Sequence, residues 1–420
     1  SHNLPMPPNF DEALFRNKEL RRETASYDMS YEARCYEENV KTMRPDQSAL
    51  FHAVKKAIDA GTGNIFFADG PGGSGKTYVE KTLLHYVRSQ KKIALACAWS
   101  GVAATLLEGG RTCHSIFGFP VPLPADNVPC KISAQDGRAK VLKAASLIIW
   151  DEISMSPCQA VDAADYMLRD FMQNDEPFGG KVVLFAGDFR QVLPVVPGGS
   201  KEQVLQQIVK NADCWADGCI QVHELRGNYR AKDDNNWAEY ILRVGDGKES
   251  VYDSVGPYAI RLPPDIVAPK EWSIKDFLND IFPNIAFQTK AAATAHTSNI
   301  DTDFFRDRAI LAPTNEIVQD INQMALDELA AANVKIETYP SRDSIQGATA
   351  YDEINYPTDF LNSLDLPGLP PHELRLAKGA VVTILRNLDA GSGICNGVRC
   401  IIQQCQPRFL DVIAVSYTHL

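Results

Sequence analysis

The chain has 420 residues, which is too long for one hydrophobic core and predicts two or three domains. Hydrophobic residues make up 45% and charged residues 23%, a balance that is typical of folded proteins and excludes a largely disordered chain. The formal net charge of −11 argues against a protein that coats nucleic acid with a basic face, although a groove that grips a single strand needs only local positive charge.

The predicted elements begin with a polar leader at residues 1–42, which contains a helix and is expected to be loosely attached. Apolar residues recur at helical spacing over residues 46–60 and predict a helix there. A strand is predicted at Ile65–Ala68, followed by a glycine-rich loop, a helix at Tyr78–Gln90 and a second buried strand at Ile93–Ala98.

Two further apolar strands, at Leu147–Trp150 and Lys181–Ala186, run into acidic residues. Strands that alternate with helices indicate an α/β fold whose parallel sheet is covered on both faces. Ligands bind to such sheets at the carboxyl ends of the strands, and the polar motifs of this chain lie at those ends. No run approaches the ~18 apolar residues of a membrane-spanning helix, so no such helix is expected.

The second half of the chain has a looser pattern. Residues 245–302 are rich in proline, glycine and polar residues and predict a connector with short helices. A strand at Ala309–Pro313 and a helix at Asn315–Leu329 are predicted next. Short strands are predicted within Lys378–Gln404, where Asn396-Gly397 is a hairpin signal. This pattern indicates a small β module attached to a second α/β domain.

The 10 cysteines include no C-x-x-C pair. Metal binding is one interpretation of the evenly spaced Cys395, Cys400 and Cys405. Because no histidine or paired cysteine accompanies them, thiols on or near strands are favoured. A reducing, intracellular compartment is expected.

A phosphate-binding loop is predicted at residues 70–77, which fit G-x-x-x-x-G-K-[ST] at every fixed position. Glycines let successive N–H groups turn toward phosphate oxygens, and the N-terminus of the following helix favours the same anion. Lys76 is expected to reach the β- and γ-phosphates and Thr77 to bind magnesium. An ordinary glycine loop is the alternative, and the strand before and helix after disfavour it. The residues expected to bind nucleotide are Gly70, Gly72, Gly73, Ser74, Gly75, Lys76 and Thr77.

Two adjacent carboxylates, Asp151 and Glu152, follow an apolar strand. Asp151 is expected to hold magnesium, and Glu152 to polarise the attacking water, which distinguishes a hydrolase from a nucleotide binder. The alternative is that both residues only cap a helix near Ser154–Pro157. The phosphate-binding loop upstream favours the catalytic interpretation.

A third polar strand end, Gly187–Pro194, places Gln191 where it can sense a γ-phosphate. The sequence has no N-K-x-D motif of the kind that GTPases place at a later strand end. Kinases with a phosphate-binding loop lack both the Asp-Glu pair and this third strand end. The combination therefore disfavours a GTPase and a P-loop kinase, and leaves transporters and recombinases open.

In their order along the chain, these motifs resemble those of the superfamily 1 helicases of the petite-integration-frequency (PIF) family, in particular the type carried by Helitron rolling-circle transposons. The resemblance extends from about Asp46 to about Gln404. It rests on eight segments, residues 70–77, 98–104, 111–115, 150–155, 187–194, 228–230, 311–315 and 378–382.

The resemblance implies tandem RecA-like P-loop domains with parallel sheets, the second one incomplete, plus part of a small SH3-like β module. The family's last motif is not found, and the chain is expected to be truncated at its C-terminus. The implied organisation is a leader at 1–42, a first RecA-like domain at 43–240, a connector at 241–308, part of a second RecA-like domain at 309–377 and the start of the β module at 378–420.

The resemblance also implies roles for individual residues. Gln47 is expected to bond the adenine edge, with an ordinary surface residue as the alternative. Arg230 is expected to reach across the cleft to the γ-phosphate, with a surface ion pair as the alternative. The expected catalytic set is Lys76, Glu152, Gln191 and Arg230.

A DNA strand is expected at the carboxyl end of the second strand. Hydroxyls, backbone N–H groups and an imidazole there can hold a sugar-phosphate backbone without reading bases. Phe117 and Phe119 either stack on bases or pack in the core, and core packing is favoured. The expected DNA-binding residues are Ser100, Gly101, Thr112, His114 and Ser115.

Together these features predict a DNA helicase motor that uses ATP and Mg²⁺ to move along single-stranded DNA, 5′-to-3′ by resemblance, and to part duplexes. Its expected partners are single-stranded DNA and duplex junctions, with no membrane, and a monomer in the nucleus is expected. A DNA-binding regulatory ATPase that does not unwind and a P-loop phosphotransferase stay open as alternatives. The sequence does not distinguish DNA repair, DNA recombination, telomere maintenance and transposition.

Overall fold

The computed structural model describes residues 18–121, 123–124, 130–196, 198–216, 218–251, 255–256, 259–294, 303–345, 356–364, 369–386, 388 and 394–415. The chain divides into two compact units, residues 1–260 and 261–420. Within the described residues, every helix is too short or too polar to cross a membrane.

The first unit is built on a six-stranded parallel sheet. Its strands are β1 Asn64–Asp69, β2 Ile93–Ala98, β3 Arg111–Thr112, β4 Ala145–Asp151, β5 Val182–Gly187 and β6 Ile220–Glu224. Their spatial order is β3-β2-β4-β5-β1-β6, and neighbouring strands are parallel. The predicted strands and the predicted parallel sheet are confirmed.

Alternate residues of each central strand are buried on opposite faces of the sheet, as the two-residue period of a strand requires. In β4, Ile148 and Trp150 join one core cluster, and Leu147 and Ile149 join the other. Full burial of such a side chain stabilises the fold by ~1.5–3 kcal/mol. The two covered faces thus hold the carboxyl ends of the strands in fixed positions.

Helices cover both faces. They are α1 Lys18–Ala25, α2 Met29–Thr42, α3 Pro45–Ala60, α4 Lys76–Ser89, α5 Gly101–Thr105, α6 Cys113–Phe117, α7 Gly137–Ala144, α8 Cys158–Met172, α9 Lys201–Gln206, α10 Asp213–Ala216 and α11 Asn235–Gly245, with 3-10 turns at Ile153–Met155, Pro177–Gly180 and Val209–Asn211. The predicted helices at 46–60 and 78–90 are α3 and α4. Helix α3 begins with a proline and ends at Gly61 in the left-handed region, which are favoured residues for those two positions.

Residues 18–42 pack firmly on the first unit, so the expectation of a loosely attached leader is wrong for them. Leu20 is buried in one core cluster. The ring of Tyr36 stacks on Phe51 with centroids 5.9 Å apart, and Arg111 donates to Glu23 at 2.6 Å. The composition misled because scattered apolar, aromatic and charged side chains make this contact, without a continuous apolar stripe. Residues 1–17 lie outside the described part of the chain.

In its described residues, the second unit carries two small antiparallel sheets. Strand β7 pairs with β8, and β10 lies between β9 and β11. These strands are β7 Ile336–Pro340, β8 Glu373–Ala377, β9 Val381–Thr383, β10 Arg399–Cys405 and β11 Leu410–Ala414. The helices are α12 Ile274–Ile281, α13 Ile285–Thr294, α14 Asp303–Arg306, α15 Asn315–Ala331 and α16 Thr358–Asn362, with a 3-10 turn at Pro264–Ile266. Helix α15 confirms the predicted helix at Asn315–Leu329.

The predicted strand at Ala309–Pro313 is wrong. These residues pair with no strand in the described ranges, and Leu311 is 93% exposed. An apolar run forms a stable strand only where other strands lie beside it. The described strands of this unit are all antiparallel, so the parallel sheet expected for a second RecA-like domain is not among them.

Asn396-Gly397 forms a tight turn directly before β10. The N–H of Val398 donates to the carbonyl of Cys395 at 3.2 Å, and Gly397 has a φ of 92°. Cys400 and Cys405 lie on β10, and Cys395 is buried. The prediction of thiols on or near strands is therefore confirmed for Cys400 and Cys405; among the described residues, none of the three belongs to a candidate metal cluster.

Candidate active site

The loop at residues 70–77 connects β1 to α4 and turns its backbone through two left-handed glycines. Gly73 has a φ of 83° and Gly75 a φ of 86°, conformations that glycine adopts without strain. The Lys76 ammonium is buried beneath the loop and donates to the carbonyl of Gly70 at 2.7 Å. The lysine therefore already lies inside the curve of the loop, where an anion would meet it.

Asp151 and Glu152 lie at the carboxyl end of β4. The Asp151 carboxylate is buried and accepts from the Glu152 N–H at 2.8 Å. Burial, with repulsion from Glu152, raises the pKa of Asp151 to about 6. Glu152 itself has a φ of 49°, a left-handed conformation that costs a residue with a Cβ of order 1–3 kcal/mol. Strain of this kind is typical of functional positions.

Glu80 is a third buried carboxyl group at this place, and the sequence patterns did not point to it. Its side chain is 1% exposed, and neither carboxylate oxygen has a hydrogen-bond partner among the described residues. Burial and the neighbouring Asp151 raise its pKa well above the usual range. Its position four residues after Lys76 on α4 was the available signal, because that spacing puts two side chains on one helix face.

Asp188 organises the end of β5. Its carboxylate is buried and accepts from the Gln191 amide at 3.1 Å and from the Arg190 guanidinium at 3.2 Å. Arg190 also donates to Asp246, the residue that ends α11, at 2.6 Å. The segment was recognised from the sequence through Gln191, but Asp188 and Arg190 were missed as its supports.

Arg230 and Gln191 converge on the loop at Gly72. A Cβ placed on Gly72 would lie 3.6 Å from the Arg230 Nη1 and 3.7 Å from the Gln191 Nε2. The segment after β6 is fixed to the loop, because the Tyr229 N–H donates to the Gly73 carbonyl at 2.8 Å. Asn228 accepts from the Arg230 N–H at 3.0 Å and holds the turn that aims the arginine. Two of the predicted catalytic side chains thus meet where phosphate would bind.

Gln47 lies against the other side of the loop. Its amide nitrogen donates to the Ser74 carbonyl at 3.2 Å, and its oxygen accepts from the Arg44 N–H at 3.1 Å. Arg44, which sequence reasoning missed, donates to the Ser74 carbonyl at 2.9 Å and to the Arg226 carbonyl at 3.0 Å. The structure places Gln47 beside the loop, and its contact with adenine stays a prediction.

The residues predicted to bind DNA lie at the adjacent ends of β2 and β3, where Ala98 pairs with Thr112. Ser100 and Thr112 accept from backbone N–H groups and cap α5 and α6. The ring of His114 lies 4.6 Å from that of Trp99, and burial lowers the pKa of this histidine. The predicted set of Ser100, Gly101, Thr112, His114 and Ser115 is therefore brought together, and its DNA contacts stay a prediction.

Phe117 and Phe119 are 1% and 5% exposed. The Phe117 ring stacks on Trp150 with centroids 5.2 Å apart and on Phe119 at 5.5 Å. Their interpretation as core residues is confirmed, because a ring packed on both sides offers no face to a base.

Comparison with known proteins supports the assignment of the α/β fold. The profile of the PIF1-like helicase family matches residues 42–254, and that of the DNA helicase Pif1 2B domain matches residues 359–405. The ATP-dependent DNA helicase Pif1 of Psychrobacter sp. (strain PRwf-1) is 33% identical over 173 residues, 40% of this chain and 25% of that protein. The ATP-dependent DNA helicase Pif1 of Bdellovibrio bacteriovorus is 31% identical over 208 residues, 49% of this chain and 44% of that protein.

Solved structures show the same fold at lower identity. A structure of two coordinating Pif1 helicases unwinding forked double-stranded DNA has a TM-score of 0.57 and 22% identity, covering 89% of this chain and 74% of that one. The Pif1 helicase from Bacteroides in complex with ADP-AlF3 and single-stranded DNA has a TM-score of 0.54 and 22% identity, covering 87% and 71%.

The parallel sheet, the glycine loop with its lysine and the acidic pair define a P-loop nucleotide-binding protein with a RecA-like first unit. The chain belongs to the PIF1-like helicase family. It spans 25% and 44% of the length of the two curated relatives described above.

Proposed function

We propose that this chain is the motor core of an ATP-dependent DNA helicase. The observation that carries the proposal is the convergence of Arg230 and Gln191 on Gly72. An arginine and a glutamine at a phosphate loop serve hydrolysis and its coupling to movement, which a protein that only stores nucleotide does not need.

The carboxyl groups beside the loop fit a magnesium ion. Asp151 and Glu80 are buried beside each other and both have raised pKa values, so a divalent cation there would favour their charged forms. Carboxylate and hydroxyl oxygens are the ligands that Mg²⁺ prefers. Thr77 and Asp151 would hold the ion, which when bound neutralises charge that develops on the phosphates.

The chain's own residues supply the remaining chemistry. Lys76 would exchange its bond to the Gly70 carbonyl for bonds to phosphate oxygens. Glu152 would orient the attacking water and accept its proton. Arg230 would stabilise charge in the transition state, a role that contributes ~10³–10⁵ in rate in related chemistry. Gln191 would report the loss of the γ-phosphate through Asp188.

Single-stranded DNA would bind at the ends of β2 and β3. The helix starts at Ser100 and Thr112 present hydroxyls and N–H groups, which suit phosphate oxygens and carry no base preference. We extend the proposal to translocation from 5′ to 3′, to unwinding at duplex junctions and to a monomer that works inside the cell, in the nucleus.

Within the family, we propose that the chain is of the Helitron-transposon type. The motif set from residues 70–77 to residues 378–382 supports the type. Roles in DNA repair, DNA recombination and telomere maintenance are alternatives to transposition at the level of pathway. A DNA-dependent regulatory ATPase that does not unwind is the second candidate function, and a P-loop phosphotransferase is the third.

The deciding experiment is steady-state ATP hydrolysis with and without a single-stranded oligonucleotide. The chain is compared with Lys76→Ala, with Glu152→Gln and with Lys92→Ala, a control at an exposed lysine. A motor core predicts turnover stimulated by DNA, abolished by the first two changes and kept by the third. If DNA does not change the rate of ATP hydrolysis by the unchanged chain, the proposal of a motor is overturned. Phosphoryl transfer to a small acceptor would establish the phosphotransferase. Stimulated turnover without separation of a forked duplex would favour the regulatory ATPase.

A further inference from the structure

A second cluster of chemistry-bearing side chains lies away from the phosphate loop. Glu32 on α2, His85 on α4 and Glu108 after α5 each place one potential ligand atom within 4.8 Å of the other two. The Glu32 Oε2 and the His85 Nδ1 are 2.6 Å apart. We propose that these three residues bind a divalent cation of the zinc type and that this ion fastens α2 to α4.

The burial of Glu32 is the first argument. Its side chain is fully buried, and its Oε1 has no hydrogen-bond partner among the described residues. A buried carboxylate oxygen is normally satisfied, because leaving it without a partner is costly. The Oε1 belongs to the same carboxylate whose Oε2 faces His85. A cation between Glu32 and His85 would therefore give this oxygen a partner.

The donor set is the second argument. One imidazole and two carboxylates, without a thiolate, suit Zn²⁺ and its analogue Co²⁺ better than the hard cation Mg²⁺, which prefers oxygen ligands alone. Ligands bonded to zinc at about 2.0–2.2 Å lie roughly 3–3.5 Å from one another, so the present spacing of Glu32 and His85 needs only a small opening. Three protein ligands leave one position for water.

The surroundings hold the third ligand in place. Arg88, one turn after His85 on α4, donates to the Glu108 carbonyl at 2.8 Å. Its guanidinium also lies over the Tyr27 ring, 3.8 Å from the ring centroid. The turn that carries Glu108 is thereby fixed to the same helix as His85. Arg88 adds a positive charge nearby, so both carboxylates are needed to keep the cluster attractive to a cation.

The location gives the site a structural role. His85 follows Lys76 by nine residues on α4, which places it about 13 Å along the helix from the phosphate loop. Helix α2 lies almost wholly before residue 42, where the match to the family profile begins. The ion would therefore couple an N-terminal element to the helix that carries the phosphate loop, and this inference does not depend on the proposed helicase activity.

The test uses the full chain, stripped with chelator and kept in excess Mg²⁺ without nucleotide. Thermal unfolding is followed while Zn²⁺ is added, and binding of Co²⁺ is followed by its visible absorption and by equilibrium dialysis. We expect one equivalent to bind, with a rise in Tm of about 5–10 °C at a hundredfold excess over Kd. Absence of both the shift and the Co²⁺ spectrum would overturn the proposal in favour of a plain Glu32–His85 ion pair.

Variants separate this site from others. Glu108→Gln changes an exposed side chain and leaves the core intact, so it is the variant least prone to misfold. His85→Gln removes the imidazole nitrogen that would bind the ion. Both are expected to lose the equivalent of Co²⁺ and most of the Tm shift. His52→Gln, at an exposed histidine, and Lys76→Ala, in the phosphate loop, are expected to keep both. Equal binding by Glu108→Gln, His85→Gln and the unchanged chain would show that the ion binds elsewhere.

Discussion

The carboxyl side of the sheet has two parts, which differ in how completely their polar groups are hydrogen-bonded. The first edge is formed by the ends of β1, β4 and β5, and the second edge by the ends of β2 and β3. At the first edge Glu80 has no hydrogen-bond partner in the described structure, Asp151 has a raised pKa and Glu152 adopts a left-handed backbone. At the second edge Ser100 and Thr112 cap short helices with ordinary geometry. The first edge stores unfavourable free energy and the second does not.

This difference follows the chemistry expected at each edge. A site for a triphosphate and a cation must keep charged groups out of water before the ligand arrives, so its polar atoms stay incompletely paired. A site for a sugar-phosphate backbone needs hydroxyls and N–H groups in fixed places, and helix caps supply these at no cost. The comparison indicates that the site for nucleotide lowers the stability of the ligand-free protein, whereas the site for DNA does not.

The largest expected effect is that of removing Arg230, which lies at the first edge. Arg230→Ala is expected to lower the rate of ATP hydrolysis by ~10³ or more, because the guanidinium at Gly72 would no longer stabilise transition-state charge. Arg226→Ala removes an arginine from the same segment whose side chain is 84% exposed, and is expected to change the rate little. Steady-state turnover at saturating ATP measures both; equal losses would mean that the segment matters only for folding.

Removal of the unpaired carboxyl group should change stability next. Glu80→Gln is expected to raise the free energy of unfolding by about 1–2 kcal/mol at neutral pH in chelator without nucleotide, because the variant no longer has a buried carboxyl group that resists ionisation. Since the folded-state pKa is raised, the gain should be absent near the ordinary glutamate pKa and grow as pH rises above it.

Urea unfolding at several pH values measures this gain. Glu37→Gln, at an exposed glutamate of α2, is the control and should show no such trend. A loss of stability in Glu80→Gln that is constant with pH would contradict the view that the carboxyl group is held at a cost.

The second edge can be tested at His114, whose side chain is half-buried. His114→Ala is expected to weaken binding of single-stranded DNA about tenfold, because the ring packed against Trp99 provides a stacking surface worth ~1–3 kcal/mol per base. Fluorescence anisotropy of a labelled oligonucleotide measures the affinity. His223→Ala on the edge strand β6 is the matched control. Unchanged affinity in His114→Ala would remove this edge from the DNA path.

The smallest effect concerns a half-buried acid on helix α8. Burial raises the pKa of Asp162 on α8 to about 6, although the Asp213 N–H bond opposes the shift. The folded state therefore holds this proton more tightly than the unfolded state, and stability should fall as pH rises from about 4 to about 6. Asp162→Asn should flatten that fall by up to about 1 kcal/mol, since a half-buried carboxyl group is partly screened. Equilibrium unfolding between these pH values decides it.

The sheet and the phosphate loop were predictable because both rest on local signals. Apolar runs that end in acids specified β4 and β5, and the spacing of glycines and Lys76 specified the loop. The supports were not predictable, because Arg44 and Asp188 act through contacts with residues distant in sequence or through burial that no local pattern shows. The strand expected at Ala309–Pro313 failed for the same reason, since a strand needs a neighbour that its own residues do not specify.

The bond between Arg190 and Asp246 links the first edge to the end of helix α11, so a small movement at this edge can be enlarged along the helix. Helix α11 has 11 residues and is therefore about 16 Å long; its last turn is fixed beside Arg190, and none of its residues is buried. A rotation of about 10° about that anchor would carry the far end by about 3 Å. A sub-ångström shift at Gln191 and Asp188, the size expected when one phosphate leaves, would reach the surface as a displacement large enough to move whatever rests on the helix.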